Sequence, residues 1–247
     1  MGIVRRQAGR AAVGALTVAA LLAAPAAARA TLTVPPGSTL LSNELTLTRW
    51  TTPYGVATVR EAPDVHARKV TRLRLWTEDG FPEVYLVLRR YRDARGRDWL
   101  LLRLPMRPNG QKGWAPAGAL GPIGTVHTYL VIDRHRLVAV LYRDGRRIWS
   151  TRVGVGKAST PTPAGRFWIR EKMRTGDPFG FYGPWALGTS AYSRLTDWPG
   201  GGVVGIHGTS EPWLIPGRPS HGCVRMRNGA IANLVRLVGV GTAVTIL

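Results

Sequence analysis

Apolar residues fall in short runs along most of this chain, and turn chemistry cuts the runs apart. Between about 45 and 119 the runs are Gly55–Arg60, Val84–Arg89 and Trp99–Leu104. Ala62-Pro63-Asp64, Asp79-Gly80 and Arg95-Gly96-Arg97 separate them, and Gly113-Trp114 and Pro116 close the stretch. No period-3.6 segment of helix length interrupts it, so a small β-barrel is predicted. A second β region starts near 125. Tyr129–Asp133 and Leu137–Tyr142 flank a turn at Asp133-Arg134-His135-Arg136, and Asp144-Gly145 marks a hairpin into Arg147–Gly154. Phe167–Arg170, Val203–His207 and Thr242–Leu247 are further strands. One helix is predicted, with Asn228 as N-cap, Ile231, Leu234, Val235 and Val238 at i, i+3, i+4 and i+7, and Gly239 at the C-cap. The stretch 171–202 lacks either period and is rich in Gly, Pro and aromatics, including Phe179, Phe181, Tyr182, Trp185, Tyr192 and Trp198. It reads as a long loop shaped to cover something. The fold class is mainly β in both regions, with one helix near the C-terminus.

The first thirty residues follow a different pattern. Arg5, Arg6 and Arg10 precede an uncharged apolar run over 11–25, and Ala28-Arg29-Ala30 is a small-x-small cleavage signal. This three-part layout predicts a secretory signal peptide over 1–30, with a run too short for a typical spanning helix. No cysteine follows the run, which excludes a lipoprotein anchor. Residues 31–44, with Pro35-Pro36-Gly37, read as a linker. The protein is therefore expected in the periplasm or another extracytoplasmic space facing the cell wall, with no transmembrane span after cleavage.

Charge sharpens that picture. The 247 residues carry 34 Lys+Arg against 14 Asp+Glu, a formal net charge of +20, and all but four of the basic residues (Lys69, Lys112, Lys157 and Lys172) are arginine. Such a balance implies a polyanionic neighbour. Export turns the expectation away from nucleic acid and toward anionic cell-wall polymers. The single cysteine excludes an intrachain disulfide and a multi-cysteine zinc site. Gly154-Val155-Gly156-Lys157 is not a phosphate loop, because the pattern would need Gly at Thr151 and Ser or Thr at Ala158. No cofactor is expected.

The chemistry concentrates around that cysteine. Cys223 lies in Ser220-His221-Gly222-Cys223-Val224-Arg225-Met226, and His207-Gly208 closes the strand Val203–His207. A neighbouring imidazole or arginine lowers a thiol's pKa, and a base in reach then makes thiolate for attack on a carbonyl. Gly222 allows close backbone approach, so the N–H groups of Gly222 and Cys223 can face a developing oxyanion. A three-ligand zinc site on His207, His221 and Cys223 is the alternative, disfavoured by the unusual His-x-Cys spacing and the lack of a carboxylate in the motif.

These residues resemble the L,D-transpeptidase catalytic domain (YkuD-type) over about 125–247. The resemblance rests on His207-Gly208, on Ser220-His221-Gly222-Cys223-Val224-Arg225, on Gly156-Lys157-Ala158-Ser159-Thr160-Pro161-Thr162-Pro163-Ala164-Gly165-Arg166-Phe167, and on Phe181-Tyr182-Gly183-Pro184-Trp185-Ala186-Leu187. The 45–119 stretch is similar to bacterial SH3-like domains through Val59-Arg60-Glu61-Ala62-Pro63, Trp99-Leu100-Leu101-Leu102 and Gly113-Trp114. The resemblance implies a small SH3-like barrel followed by a β-sandwich enzyme of cell-wall biogenesis that acts on peptidoglycan stem peptides. Cys223 would be the nucleophile and His207 the base, oriented by the carbonyl of Gly208. His221 and Ser220 would support the loop and the oxyanion geometry. Arg225, Tyr182 and Trp185 would contact substrate, Arg225 through a carboxylate unless it is instead a strut inside the site. The expected product is a 3→3 cross-link. Hydrolysis of the same acyl-enzyme would make an L,D-carboxypeptidase, and a wall-binding protein with an idle thiol is the non-enzymatic reading. The oligomeric state is left open. The β-module carries none of the proposed catalytic residues, so its removal is expected to leave some activity on soluble fragments and to weaken binding to intact wall.

Overall fold

A computed structural model describes residues 32–197 and 199–247. The proposed signal peptide lies outside the described residues, as does Trp198. No helix among the described residues is long and apolar enough to cross a membrane.

The N-terminal sheet contains β1 (Thr39–Leu40), β2 (Thr48–Thr51), β3 (Thr58–Arg60), β4 (Lys69–Arg72), β5 (Tyr85–Arg92), β6 (Asp98–Arg103), β7 (Lys112–Pro116) and β8 (Gly124–Val126). The pairing order is β4-β3-β7-β6-β5-β2-β8, with β1 also on β5. Successive side chains of a strand point to opposite faces. Here both faces are covered, because Leu100 and Leu102 join one apolar cluster and Trp99 and Leu101 join another with Trp114. That is why this strand reads as an unbroken apolar run. The pairing is an open path from β4 to β8, not a hydrogen-bonded closed barrel.

Two boundaries move. Residues 32–44 are not a free linker. The Thr33 N–H donates to the Glu61 carbonyl at 3.0 Å, and the Trp114 indole N–H donates to the Thr33 carbonyl at 2.8 Å. Glu44 is buried against the Arg103 guanidinium. A polar, Pro-broken sequence can still be fixed by backbone hydrogen bonds and one buried ion pair. The start of the second domain also shifts, since residues 124–126 pair with β2 in the first sheet.

The second sheet contains β9 (Thr128–Asp133), β10 (Val138–Arg143), β11 (Arg146–Arg152), β12 (Gly154–Gly156), β13 (Gly165–Arg174), β14 (Trp185–Tyr192), β15 (Val203–His207), β16 (Gly217–Ser220), β17 (Val224–Arg225) and β18 (Ala243–Ile246). Its order is β11-β10-β9-β18-β13-β14-β15-β17-β12-β16. Strand β13 joins the two halves: residues 165–168 pair with β18, and 169–174 pair with β14 across a register shift. Strands that change partners at a bulge make the corners of sandwiches. One core, from Leu130 and Leu141 through Ile169 and Ile206 to Leu234, fills the interior.

The long stretch 171–202 is therefore only partly loop. It contains the end of β13 and all of β14. The sole α-helix among the described residues, α1 (Asn228–Leu237), buries Ile231, Leu234 and Val235. The Asn228 side chain does not cap it, and the helix stops at Val238, one residue before Gly239.

The two sheets meet at a seam of charge centred on buried Arg170 and Glu83. The Arg170 guanidinium of β13 donates to both carboxylate oxygens of Glu83, at 2.8 and 2.6 Å, and to Glu78 at 2.9 Å. Arg74 bridges the same two carboxylates, and the Tyr192 hydroxyl donates to Glu78 at 2.5 Å. Burial would raise the Glu78 carboxyl, but the Arg170 charge and hydrogen bonds from Tyr192 and Arg74 outweigh it and hold it down at about 2. Beside this network the Trp168 indole donates to the Val84 carbonyl at 2.8 Å, in a cluster with Trp50 and Leu86.

Candidate active site

Parallel pairing of β15 with β17 sets His207 against Arg225 and Ile206 against Val224. This register brings Cys223, just ahead of β17, alongside Gly205: the Gly205 N–H donates to the Cys223 Sγ at 3.4 Å. Cys223 and His207 line one cleft of 430 Å³, shared with Tyr182, Gly188, Arg174 and Asp79 among others. Gly205 precedes His207 by two positions and shares its face of the strand. A methyl group at Gly205 would lie 3.7 Å from His207 Cδ2 and 3.9 Å from the sulfur. The missing side chain leaves room where a carbonyl must enter.

His207 is buried, and its Nδ1 lies 2.6 Å from the Gly208 carbonyl oxygen. A carbonyl only accepts, so Nδ1 carries the proton and Nε2 presents its lone pair. Burial pushes the imidazole pKa down to about 4, with the Arg225 charge acting in the same direction and the bond to Gly208 opposing. Burial also pushes the Cys223 thiol up, against the Gly205 N–H and the Arg225 charge, which favour thiolate. The resting pair at neutral pH is thus thiol and neutral imidazole. The expectation of a lowered thiol pKa is corrected, because desolvation of the thiolate outweighs its neighbours.

The nucleophile loop is held by Ser220. Its hydroxyl donates to the Cys223 carbonyl at 2.6 Å and accepts from the Gly222 N–H at 3.2 Å. That second bond occupies one of the two N–H groups considered for an oxyanion, which leaves the Cys223 N–H as the candidate. Gly222 adopts φ +132, a conformation that side-chain-bearing residues rarely adopt. His221 turns its Nε2 to the Lys157 ammonium at 3.0 Å and does not line the cleft. The Lys157 N–H donates to the Ser220 carbonyl at 2.9 Å, so the Gly-Lys segment that imitated a phosphate loop buttresses the cysteine turn.

The substrate-facing residues separate. Tyr182 lines the cleft and stands edge-on to the His207 ring at 4.9 Å, with Phe181 5.9 Å from the same ring. The loop 175–184 thus covers the His207 ring. Trp185 does not line the cleft; it packs on the hydrophobic core, and its carbonyl accepts from the Gly208 N–H at 3.2 Å. Arg225 is buried, donates to Glu211 at 2.7 Å and lies 4.6 Å beneath the Phe181 ring. Its geometry is that of a strut, since a carboxylate of the protein already holds it. No three His, Cys, Asp or Glu side chains converge as a metal site among the described residues.

Several contributors were not anticipated. Glu211 is the partner of Arg225. Asn228 accepts from the Thr209 N–H at 2.8 Å and ties the loop after His207 to the helix start. Gly205 could have been found from its place two residues before a histidine on a strand. Asp79 comes from the other sheet, and no local signal announces it.

The fold is mainly β, and one cleft is lined by the thiol of a Ser-His-Gly-Cys turn and by the buried imidazole of His207. The L,D-transpeptidase catalytic domain model matches residues 127–246. The YkuD protein of Bacillus subtilis is 40% identical over 124 residues, covering 49% of this chain and 67% of that protein. The YkuD protein of Bacillus licheniformis is 36% identical over 108 residues, covering 43% and 57%. The chain belongs to the YkuD family of L,D-transpeptidase catalytic domains. Among solved structures, the catalytic domain of an Enterococcus faecium L,D-transpeptidase is 26% identical, with 49% of this chain and 96% of that one covered and a TM-score of 0.36. An L,D-transpeptidase from Mycobacterium smegmatis is 17% identical, with 61% and 90% covered and a TM-score of 0.40.

Proposed function

We propose that this protein is a cysteine-dependent L,D-transpeptidase that forms 3→3 cross-links between peptidoglycan stem peptides. The observation that carries the reading is the single cleft lined by Cys223 and by a His207 whose Nδ1 is committed to the Gly208 carbonyl. His207 Nε2 takes the Sγ proton as the sulfur attacks the carbonyl of stem residue three. The tetrahedral oxyanion forms against the Cys223 N–H. The imidazolium then protonates the departing D-Ala amine, leaving a thioester. An amine of a second stem attacks that carbonyl, the C–S bond breaks, and the proton returns to sulfur through His207. Tyr182 shields the base from water, and Ser220 and His221 keep the turn in place.

Export through residues 1–30 would bring the enzyme to its polymer. The excess of arginine would hold it near anionic wall polymers, and the N-terminal sheet would serve as an SH3-like wall-binding module as well as a scaffold. Incubating the protein, freed of residues 1–30, with a disaccharide-tetrapeptide and weighing the products tests the reaction. A cross-linked dimer with loss of one D-Ala supports transpeptidation. Tripeptide alone assigns the L,D-carboxypeptidase reaction, and an unchanged donor overturns both.

A further inference from the structure

The cleft is not built from the catalytic sheet alone. The turn Thr77–Gly80, between β4 and β5 of the N-terminal sheet, reaches it, and Asp79 lines it together with Cys223 and His207. Three attachments hold the turn there. The Thr77 hydroxyl donates to the Glu171 carboxylate of β13 at 2.6 Å. The Phe81 N–H returns to the Thr77 hydroxyl at 3.1 Å, closing the turn on itself. One residue on, Glu78 is locked into the seam by Arg170, Arg74 and Tyr192. Asp79 is thereby an exposed carboxylate on a fixed turn, and its charge is felt by Glu171 on one side and by the Tyr182 phenol on the other. Among the described residues the other charged side chain that lines the cleft is Arg174 at the end of β13.

We propose that Asp79 is a specificity-determining residue that recruits a primary ammonium, the acceptor amine, to the acyl-enzyme. The inference rests on the transpeptidase reading above. In a protein of net charge +20, a cationic acceptor is repelled at long range, and a carboxylate at the mouth of the reactive cleft supplies the local attraction that decides which nucleophile arrives. The amine enters as ammonium and sheds one proton to water. It then attacks the thioester carbonyl, so that a C–N bond forms and the C–S bond breaks. The second nitrogen proton passes through His207 to the sulfur, and one proton is released overall. Water carries no charge for Asp79 to recruit. The residue therefore shifts the balance between transfer and hydrolysis without touching the first acylation. On this view the N-terminal sheet is part of the enzyme's acceptor site.

The test compares the intact protein with Asp79→Asn, Asp79→Lys and Asp79→Glu. A tetrapeptide donor is used with a stem-peptide acceptor bearing a free amine. D-Ala release in the absence of acceptor reads acylation and hydrolysis, and the ratio of cross-linked to hydrolysed product reads acceptor use. Asp79→Asn should raise the acceptor KM about tenfold and lower the product ratio by a similar factor, a loss several times larger than any change in D-Ala release without acceptor. Asp79→Lys should fall further, and Asp79→Glu should recover most of the ratio. An unchanged acceptor KM in Asp79→Asn and Asp79→Lys would overturn the proposal, as would an equal loss of D-Ala release without acceptor. Absence of any acyl-enzyme in the unmodified protein would instead overturn the transpeptidase reading itself.

Discussion

The seam between the sheets and the cleft beside it bury ionisable groups to opposite effect. At the seam Glu78 and Glu83 each face the two guanidinium groups of Arg74 and Arg170, and the Glu78 carboxyl is held well below the usual range. In the cleft His207 is buried and Cys223 half-buried, neither has a counter-charge among its hydrogen-bond partners, and both are driven toward their neutral forms. The same cost of desolvation is thus answered by pairing in one place and by neutralisation in the other. Paired ions fix geometry, whereas a neutral thiol beside a neutral imidazole can pass a proton once substrate arrives. The contrast assigns the first region to architecture and the second to chemistry, and it can be attacked from both sides.

The largest expected effect is at the sulfur. Cys223→Ala should abolish D-Ala release and cross-linking while the unfolding midpoint stays close to that of the parent protein. Residual turnover, read by mass, would contradict the mechanism. His207→Ala should lose ~10²–10⁴ in rate, the usual range for a general base. His221→Ala should lose less, since its ring contacts Lys157 and lies outside the cleft. The reverse ranking would assign the base to His221.

Next comes the seam. Arg170→Ala leaves Glu83 buried without its bidentate partner, and breaking one side of a buried pair costs ~3–5 kcal/mol. Urea unfolding should show that loss. A variant carrying Arg170→Met with Glu83→Leu should recover part of it, because the uncompensated charge leaves with its partner. Deleting residues 31–119 should go further and leave an unstable, inactive remnant, since it strips Trp168 and Arg170 of their cover. This departs from the expectation that some activity on soluble fragments survives removal of the β-module. A truncated protein with full activity on soluble fragments would restore it.

The division between what the sequence discloses and what it conceals follows the same line. The Ser220–Cys223 turn, His207 and the helix stripe are local, so their residues declare themselves. Strand β14 was hidden because Ala186–Tyr192 is buried throughout, which leaves small and polar residues with no alternation to detect. The seam joins residues about ninety positions apart, such as Glu83 and Arg170, and nothing near either one names the other. Arg225 reads equally as a substrate contact or as a strut, because Glu211 cannot be placed beside it from sequence. Asp79 looked like an ordinary turn residue for the same reason.

A smaller effect concerns pH and catalysis. The proposed mechanism requires neutral His207, whose pKa is depressed to about 4, and uses a thiol whose own pKa is raised. D-Ala release should therefore stay level from about pH 5 to beyond the ordinary thiol range, and fall as pH drops through about 4. Stability contributes in the same direction. A histidine with a depressed folded pKa supplies its full contribution above the unfolded value and loses it as pH falls through the folded one. A rate profile with an acid limb near 6.5 would show that the imidazole is not desolvated in the working enzyme.

The smallest effect belongs to Glu171, which lies where the two regions touch. Its carboxylate accepts the Thr77 hydroxyl, and the residue is buried. Burial raises its pKa to about 7, with the Asp79 charge adding to the rise and the Thr77 bond and Arg170 opposing it. The folded state therefore holds a proton that the unfolded chain has already released between the ordinary carboxyl range and neutrality. Stability must fall as pH rises through that window, opposite in sign to the contribution of Glu78. Glu171→Gln is neutral at every pH and keeps a hydrogen-bonding group toward Thr77, so this fall should disappear. The variant should match the parent near pH 4.5 and exceed it at pH 8 by about 1 kcal/mol, a pKa shift discounted for partial solvation. Urea unfolding at those two pH values measures it. Equal slopes in the two proteins would mean that Glu171 is ionised like the seam carboxylates, and the boundary between paired and neutralised charge would then run through the cleft wall itself.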